Sequence, residues 1–348
     1  MKNSNMLFVM ILMLTALFLS ACGDKNSQPS ASSDNNAVTN TSEGDGDTYE
    51  FKITYVTQTG HNWHKFAEKF KDELDQRSDG RMNLELYPAA QLGPEADMVQ
   101  QMANGSLDFA LLTVPYLSTR IEEFDAWNMP FLFENLEEGI QAAETEPAQK
   151  MLKLLEEQGL KGIGYLHTGT HSLIMKDAEI NTIEDVNGKK LRFTGGASVL
   201  GFWEDLGASP IAMGLPEVYN ALQTGVIDGV SVDTNATLSE KYHEISEGYV
   251  LTKHMVFGGV LAASLTNYEN MPESDRKIID EAMAAALEWG NEQLVINDVE
   301  DLKEVSELLN VTELDNRDEF VEAAQEVHEE YAKKNELIKE FIDVVKGN

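Results

Sequence analysis

Apolar and polar residues follow strand and helix patterns in turn along most of the chain. Phe51, Ile53 and Tyr55 alternate with polar residues, as in a strand with one buried face. Apolar residues then recur at helical spacing over 63–74. A second strand and helix follow, and the mostly apolar run 107–114 is typical of a strand in a parallel sheet covered on both faces. The pattern predicts a strand–helix–strand–helix–strand unit.

The same order of elements recurs over 188–232. A short strand at 191–193 is followed by a helix that Ser198 can cap. Pro216 fits the first turn of a second helix, because its missing N–H costs nothing there. The unit ends with a strand at 229–232. Two such units predict an α/β fold with two lobes and a cleft between them.

The rest of the chain predicts a return to the first lobe and then helices. Glycine-broken apolar residues at 249–264 predict strands that cross back. Helical spacing then runs from Pro272 towards the C-terminus. The predicted lobes are 49–170 with 258–297, and 171–257 with 298–348 and the C-terminal helices.

The N-terminus has the pattern of an export signal. Lys2 precedes an unbroken apolar run and small residues follow it, which predicts a signal peptide over 1–21. The run is shorter than a bilayer span of about 20 residues, and an uncleaved anchor helix is the alternative. Cys22, the single cysteine, ends a Leu-Ser-Ala-Cys sequence that resembles the lipobox of bacterial lipoproteins. That resemblance implies a lipid anchor, and the polar residues of 22–48 predict a flexible linker.

The net charge limits the kinds of ligand. The chain carries a formal charge of −34 with 60 acidic residues, whereas nucleic-acid binding needs a basic surface. A field of this sign repels anions, so an anionic guest needs a local cation. Arg192 is such a cation, placed between two apolar residues at the carboxyl end of a strand, where ligands of α/β sheets bind. It can hold a carboxylate with two hydrogen bonds, or pair with a protein acid instead.

Four motifs around Arg192 resemble those of the solute-binding proteins of tripartite ATP-independent periplasmic (TRAP) transporters. The similarity extends from about Tyr49 onward. It implies a two-lobe periplasmic-binding-protein fold of type II-like architecture, with a long helix spanning both lobes. It also implies a solute carboxylate bound to Arg192 and a TRAP membrane permease as partner. The motifs are Gly-Lys-Lys-Leu-Arg ending at Arg192, Leu-Gly-Ala-Ser-Pro ending at Pro210, Glu-Val-Tyr-Asn-Ala-Leu-Gln-Thr-Gly ending at Gly225 and Val-Ile-Asp-Gly ending at Gly229.

Further candidate ligand residues lie in the first lobe and at the crossover. Gln58 and Trp63 lie in and after the loop that follows the first strand, although Trp63 also fits the apolar stripe of the core. Thr113 ends a strand, at a position that often contacts solute in the similar proteins. His171 stands where those proteins often have an arginine. It can donate a neutral hydrogen bond or carry charge at mildly acid pH, or it can be a core histidine.

Asp233 and Asn235 follow the strand at 229–232, where the similar proteins often have an amide that contacts the solute. Either residue can replace that amide in this chain. An acid in the site favours a solute with an amine or hydroxyl group as well as a carboxylate. Asp233 can instead cap the next helix.

Signatures of catalysis are missing from the sequence. There is no phosphate-binding loop, no His-Glu-x-x-His zinc motif and no nucleophile elbow. We therefore expect no catalysis, no cofactor and no metal. The sequence predicts an exported, lipid-anchored protein on the outer face of the cytoplasmic membrane that delivers a small organic acid or zwitterion to a permease. A sensor accessory protein and an exported enzyme are the alternatives.

Overall fold

The computed structural model describes residues 47–177 and 180–347. The predicted signal peptide, Cys22 and all but the last two residues of the predicted linker lie outside the described residues. Within the described ranges the order of elements follows the predicted alternation of strands and helices.

The first unit forms as the apolar pattern predicts. The predicted stripe of five apolar residues over 63–74 supplies all of the buried residues of the first helix. The His61 side chain caps this helix by accepting the N–H of Trp63 at 3.1 Å. The elements are β1 Tyr49–Thr54, α1 Asn62–Arg77, β2 Met82–Tyr87, α2 Glu95–Ala103, β3 Phe109–Thr113, α3 Val114–Ser118, α4 Leu136–Ala142, α5 Glu146–Leu154 and β4 Leu160–Met175.

The second unit has the predicted elements with one difference in capping. Pro216 lies in the first turn of its second helix, as expected. The first helix has Gly196 rather than Ser198 at its N-cap, and Asp125 from a distant segment accepts the Ser198 N–H at 2.8 Å. The elements are β5 Lys190–Phe193, α6 Ala197–Asp205, β6 Ser209–Ala212, α7 Leu215–Thr224, β7 Gly229–Val232, α8 Thr234–Ser239 and β8 Gly248–Ser264.

Helices dominate the C-terminal part of the described chain. The helix at 273–308 has 36 residues, which corresponds to a length of about 54 Å. It packs against α1 of the first unit and α8 of the second, so the predicted long helix spanning both lobes is confirmed. No helix in 47–177 or 180–347 combines the length and apolar character needed to cross a bilayer. The elements are α9 Leu265–Glu269, α10 Glu273–Leu308, β9 Asn310–Glu313, α11 Arg317–Lys334 and α12 Glu336–Lys346.

One continuous sheet connects the two lobes. The strand order is β2-β1-β3-β8-β4-β7-β5-β6, with β9 beside β8. The strands β1, β2 and β3 are parallel to their neighbours in this set, as are β5, β6 and β7. The long antiparallel pair β4 and β8 joins these two parallel groups, and its register shifts at three places. The predicted crossover and return segments are therefore the two strands that run through both lobes.

Candidate functional site

A small cavity of about 40 Å³ lies where strands of both lobes end. Val56 and Thr57 follow β1, and Thr113 is the last residue of β3. Arg192 lies in β5, and Asp233 follows β7. Ligands of α/β sheets bind at the carboxyl ends of the strands, in pockets that combine apolar walls with a few polar groups. The position and the lining of this cavity therefore make it the candidate binding site.

Arg192 contributes a buried cation to the cavity. Its side chain is 1% exposed, and its Nε and Nη2 both donate to the Met213 carbonyl oxygen, at 2.9 and 2.7 Å. In the described part of the chain no carboxylate forms an ion pair with the guanidinium. Burial lowers the pKa of Arg192, yet an arginine remains charged in proteins. The site thus holds a cation that has no ion-pair partner among the described residues.

Two carboxyl groups, those of Glu95 and Glu240, attract this cation without forming an ion pair with it. Glu95 accepts the N–H and the hydroxyl of Thr113, at 2.6 and 3.2 Å. Glu240 accepts the N–H of Gln58 at 3.1 Å. Loss of hydration raises the pKa of Glu95, Asp233 and Glu240 to about 7 in each case. Near pH 7 these acids are about half ionised, and the attraction of Glu95 and Glu240 for the guanidinium partly offsets the effect of burial on the pKa of Arg192.

A polar wall formed by His171 and Asp233 also lines the cavity. The Asp233 Oδ1 accepts the N–H of Ala236 at 2.7 Å as the N-cap of α8, and its Oδ2 accepts the Thr168 hydroxyl at 2.8 Å. The His171 ring stacks on Phe257 with centroids 4.1 Å apart. Burial lowers the pKa of His171 well below its usual value, so the ring is neutral. The helix-cap role and the site role of Asp233 are therefore compatible.

Two buried donors in the cavity wall have no partner among the residues the structure describes. They are the indole N–H of Trp63 and the hydroxyl of Thr57. Trp63 also belongs to the apolar core, as its helical spacing predicts. Buried polar groups are almost always hydrogen-bonded in proteins. Two unpaired donors in one cavity wall indicate a site that binds a polar ligand.

The cavity brings together five of the seven predicted ligand residues: Trp63, Thr113, His171, Arg192 and Asp233. The other two predicted residues, Gln58 and Asn235, are not among the residues that line this cavity. Gln58 is exposed and is not part of the cavity wall, and its backbone rather than its side chain contacts Glu240.

Asn235 is bound to the protein at both ends of its amide. Its Oδ1 accepts the N–H of Asn62 at 2.9 Å, and its Nδ2 donates to Asp301 at 2.8 Å. These bonds tie α8 to α1 and α10. One N–H of Nδ2 and one lone pair of Oδ1 stay unused. The two bonds give Asn235 a structural role, and its contact with a solute stays a prediction.

The sequence reasoning missed several cavity residues. Glu95 is near the start of a helix, Thr168 is in the crossover strand and Phe257 is in the return strand. Nothing local distinguishes Glu95 from the many surface acids of the chain. Thr168 and His171 flank a Gly-Thr pair in the long strand β4, which is the one sequence signal that could have marked them together.

A cavity between two lobes with a fixed cation in its wall is typical of a cleft-type receptor for small molecules. Comparison with known proteins gives the family. The profile of the bacterial extracellular solute-binding proteins, family 7, also called DctP, matches residues 53–335. This chain belongs to that family.

Relatives and solved structures share both sequence and fold with the chain. A solute-binding protein of Sulfitobacter sp. strain NAS-14.1 is 28% identical over 276 residues, 78% of this chain and 83% of the relative. The sialic acid-binding periplasmic protein SiaP of Vibrio cholerae is 26% identical, over 80% of this chain and 87% of the relative.

Solved structures share the fold. The sugar acid binding protein DctPAm of Advenella mimigardefordensis, in complex with galactonate, superposes with a TM-score of 0.84 at 23% identity, over 87% of this chain and 99% of that protein. A TRAP periplasmic solute-binding protein of Shewanella oneidensis with bound succinate gives 0.81 at 22% identity, over 86% and 99%. The two-lobe fold is confirmed.

Proposed function

We propose that this extracellular solute-binding protein captures a small carboxylate-containing organic solute and delivers it to a TRAP-type secondary transporter. The observation that carries the proposal is the buried Arg192 guanidinium without an acidic partner in the described chain. An uncompensated buried charge is strongly unfavourable, so proteins rarely keep one without a use. A solute carboxylate supplies the missing charge.

The contacts of Arg192 leave a suitable set of donors for that carboxylate. A guanidinium has five N–H groups in one plane. The Met213 carbonyl takes one from Nε and one from Nη2, which fixes the plane of the group. Both N–H groups of Nη1 and one of Nη2 remain, and these two nitrogens match the two oxygens of a carboxylate. We expect a bidentate pair at this end of the guanidinium.

The similar structures support a carboxylate as the ligand. The Shewanella protein holds succinate and the Advenella protein holds galactonate. A third similar structure, from Chromohalobacter salexigens, holds D-glucuronate. All three ligands carry a carboxylate, although they differ in size and in their hydroxyl groups. The shared group is the one that Arg192 is suited to bind.

Closure of the two lobes follows from the positions of the cavity residues. Trp63 and Thr113 come from the first lobe, whereas Arg192 and Asp233 come from the second. A solute that contacts both sets stabilises the closed form by these additional contacts. The strands β4 and β8, with their three register shifts, are the segments where the lobes can bend. The closed form would be the one that the permease receives.

The proposal includes attachment to the membrane through Cys22. Its support is the lipobox-like sequence that ends at this cysteine. Cys22→Ser removes the thiol that carries the lipid, so the variant is expected in the medium rather than in the membrane fraction. Immunoblots of both fractions test this. A variant that remains with the membrane would leave the uncleaved anchor helix as the better explanation.

The capture function is tested by a thermal-shift screen of small organic acids, followed by calorimetry on those that stabilise the protein. Each acid is paired with its neutral amide, because the amide keeps the size and loses the charge. We expect stabilisation by one or more acids and none by the matched amides. Mass spectrometry of the recovered ligand should show it unchanged, since the protein binds and releases. An acid that is consumed would favour the exported enzyme.

A further inference from the structure

A chain of buried hydrogen bonds leads from the interior of the sheet to the cavity. The Thr252 Oγ1 is 2.7 Å from His254 Nδ1, and His254 Nε2 is 2.9 Å from Ser231 Oγ. Ser231 Oγ is in turn 2.9 Å from His171 Nδ1. The last atom of the chain, His171 Nε2, is 3.7 Å from Asp233 Oδ2. All five side chains are 3% exposed or less.

The two histidines of this chain each carry a single ring proton. Burial lowers the pKa of His254 to about 3, and it lowers the pKa of His171 well below its usual value. Ser231 has one hydroxyl proton for two neighbouring ring nitrogens. It must therefore donate to one histidine and accept from the other. Only two orders of donors along the chain satisfy this condition.

The two orders differ at the ends of the chain. In the first, Thr252 donates to His254, His254 donates to Ser231, and Ser231 donates to His171 Nδ1, which leaves the proton of His171 on Nε2. In the reverse order, His254 Nδ1 donates to Thr252, whose own buried hydroxyl proton then lacks an acceptor among the described residues. The reverse order also turns a lone pair of His171 towards Asp233. The first order gives every hydroxyl proton of the chain an acceptor and leaves the His171 Nε2–H free to donate towards the cavity, so it is the favoured order.

We propose that this chain holds His171 as an Nε2–H donor, and that His171 and Asp233 together bind one hydroxyl group of the solute. The inference rests on the proposed capture of a carboxylate and narrows it to hydroxy acids. Arg192 holds the carboxylate, and the hydroxyl lies at the polar wall. Ser231, His254 and Thr252 are positioning residues, because they act through His171.

The distance between the two wall atoms explains the choice of a hydroxyl group. The 3.7 Å from His171 Nε2 to Asp233 Oδ2 is too long for a direct hydrogen bond, so each atom is left with one bond to make towards the cavity. A hydroxyl can accept from Nε2–H and donate to Oδ2 at the same time. An ammonium group cannot accept from the histidine, and a carbonyl oxygen cannot donate to the acid.

Neighbouring contacts hold both wall residues in place for this task. The His171 ring stacks on Phe257 with an interplanar angle of 6°. Thr168 and the N–H of Ala236 each occupy one Asp233 oxygen. The two side chains therefore have little rotamer freedom to lose when the solute binds, which favours a specific contact.

The first test is the tautomer of His171, which needs no ligand. Long-range ¹H–¹⁵N spectra of the empty wild-type protein should show His171 protonated at Nε2. Thr252→Val removes the hydroxyl that begins the chain at nearly constant shape, and both tautomers should then appear. Thr252→Ser keeps the hydroxyl and should restore the wild-type spectrum. A wild-type His171 protonated at Nδ1 overturns the inference.

The second test is the preference for a hydroxyl group, measured by calorimetry with malate and succinate and with galactonate and 2-deoxygalactonate. Each pair differs by one hydroxyl. We expect about a tenfold preference for the hydroxy acid in at least one pair, which is what one additional satisfied donor–acceptor set supplies. Thr252→Val should reduce that preference about threefold or more, while Thr252→Ser retains it. A preference that is absent in the wild type, or unchanged in Thr252→Val, overturns the inference.

The outcomes separate this inference from the proposed function. A protein that binds these acids but shows no preference for the hydroxy acid in either pair refutes the hydroxyl contact and leaves carboxylate capture intact. A protein that binds no organic acid refutes both. If Thr252→Val fails to fold, Ser231→Ala interrupts the same chain one step nearer the cavity and should lose the same preference, with melting temperatures reported for each variant.

Discussion

Replacing Arg192 with methionine distinguishes a ligand-binding arginine from a structural one. Methionine has a similar length and no charge. If Arg192 belonged to an internal ion pair, its loss would leave a buried acid uncompensated and would cost about 3–5 kcal/mol of folding free energy. If Arg192 instead binds the solute, its replacement should change the stability of the empty protein only slightly. The affinity for the solute should fall.

The contacts of Arg192 allow the size of both effects to be worked out. In the described chain its hydrogen-bond acceptor is the Met213 carbonyl, and leaving that oxygen without a partner costs about 1–3 kcal/mol. Removing a buried, unpaired cation returns several kcal/mol of lost hydration. The two terms largely offset one another. We expect the free energy of unfolding of empty Arg192→Met to lie within about 1 kcal/mol of the wild type.

The expected loss in binding free energy is larger than this change in the free energy of unfolding. Charge-assisted hydrogen bonds to a carboxylate contribute about 1.5–3 kcal/mol, which corresponds to roughly 10- to 150-fold in Kd. Urea unfolding of the empty protein gives the stability, and calorimetry with the best acid from the screen gives the Kd. Arg120→Met is the matched control, because Arg120 is exposed and its Nη2 donates to Gln158 at 2.8 Å. The control should leave the Kd unchanged.

Two results would refute this reasoning. An Arg192→Met protein that loses about 3 kcal/mol or more in the empty state would show that the arginine is part of the internal framework. A variant with wild-type affinity would show that the carboxylate binds elsewhere. Either result removes the basis for capture by this residue.

Further predictions concern the pH dependence of binding, the role of Asn235 and the close backbone contact at Gly259. The acids Glu95 and Asp233, with pKa values of about 7, become charged as the pH rises from about 6 to about 8, so the Kd for an anionic solute should rise several-fold over that range. Glu95→Gln should reduce this pH dependence, and a Kd independent of pH in the wild type would contradict it. Asn235→Ala should lower stability by about 1–3 kcal/mol with an unchanged Kd, since both ends of its amide bind protein; a weakened Kd at unchanged stability would return Asn235 to the site. Gly259→Ala should destabilise the protein, because a Cβ there would lie 2.5 Å from the Leu112 carbonyl oxygen; a melting temperature at or above the wild type would be inconsistent with that packing.

Much of the fold was predictable because it depends on local patterns. The stripe of α1 and the Pro216 start of α7 follow from spacing and from backbone chemistry that neighbouring residues decide. Ser198 shows where this approach fails. Its predicted cap role depends on whether another acceptor is present, and Asp125, 73 residues away, supplies one. No local pattern contains that information.

The residues of the candidate site also divide into those that the sequence could predict and those that it could not. Arg192 could be predicted because a cation at a strand end is unusual in an acidic chain. Glu95 and Phe257 could not, since they reach the cavity only when β4 and β8 bring the lobes together. Asn235 was predicted as a ligand from its position alone, which does not show that its amide binds protein at both ends.

The most direct test is a crystal structure of the protein with the tightest acid from the screen. We expect carboxylate oxygens within about 3 Å of Nη1 and Nη2 of Arg192, while Nε still donates to the Met213 carbonyl. A bound carboxylate held away from Arg192, or a guanidinium turned to a protein acid in the complex, would contradict it.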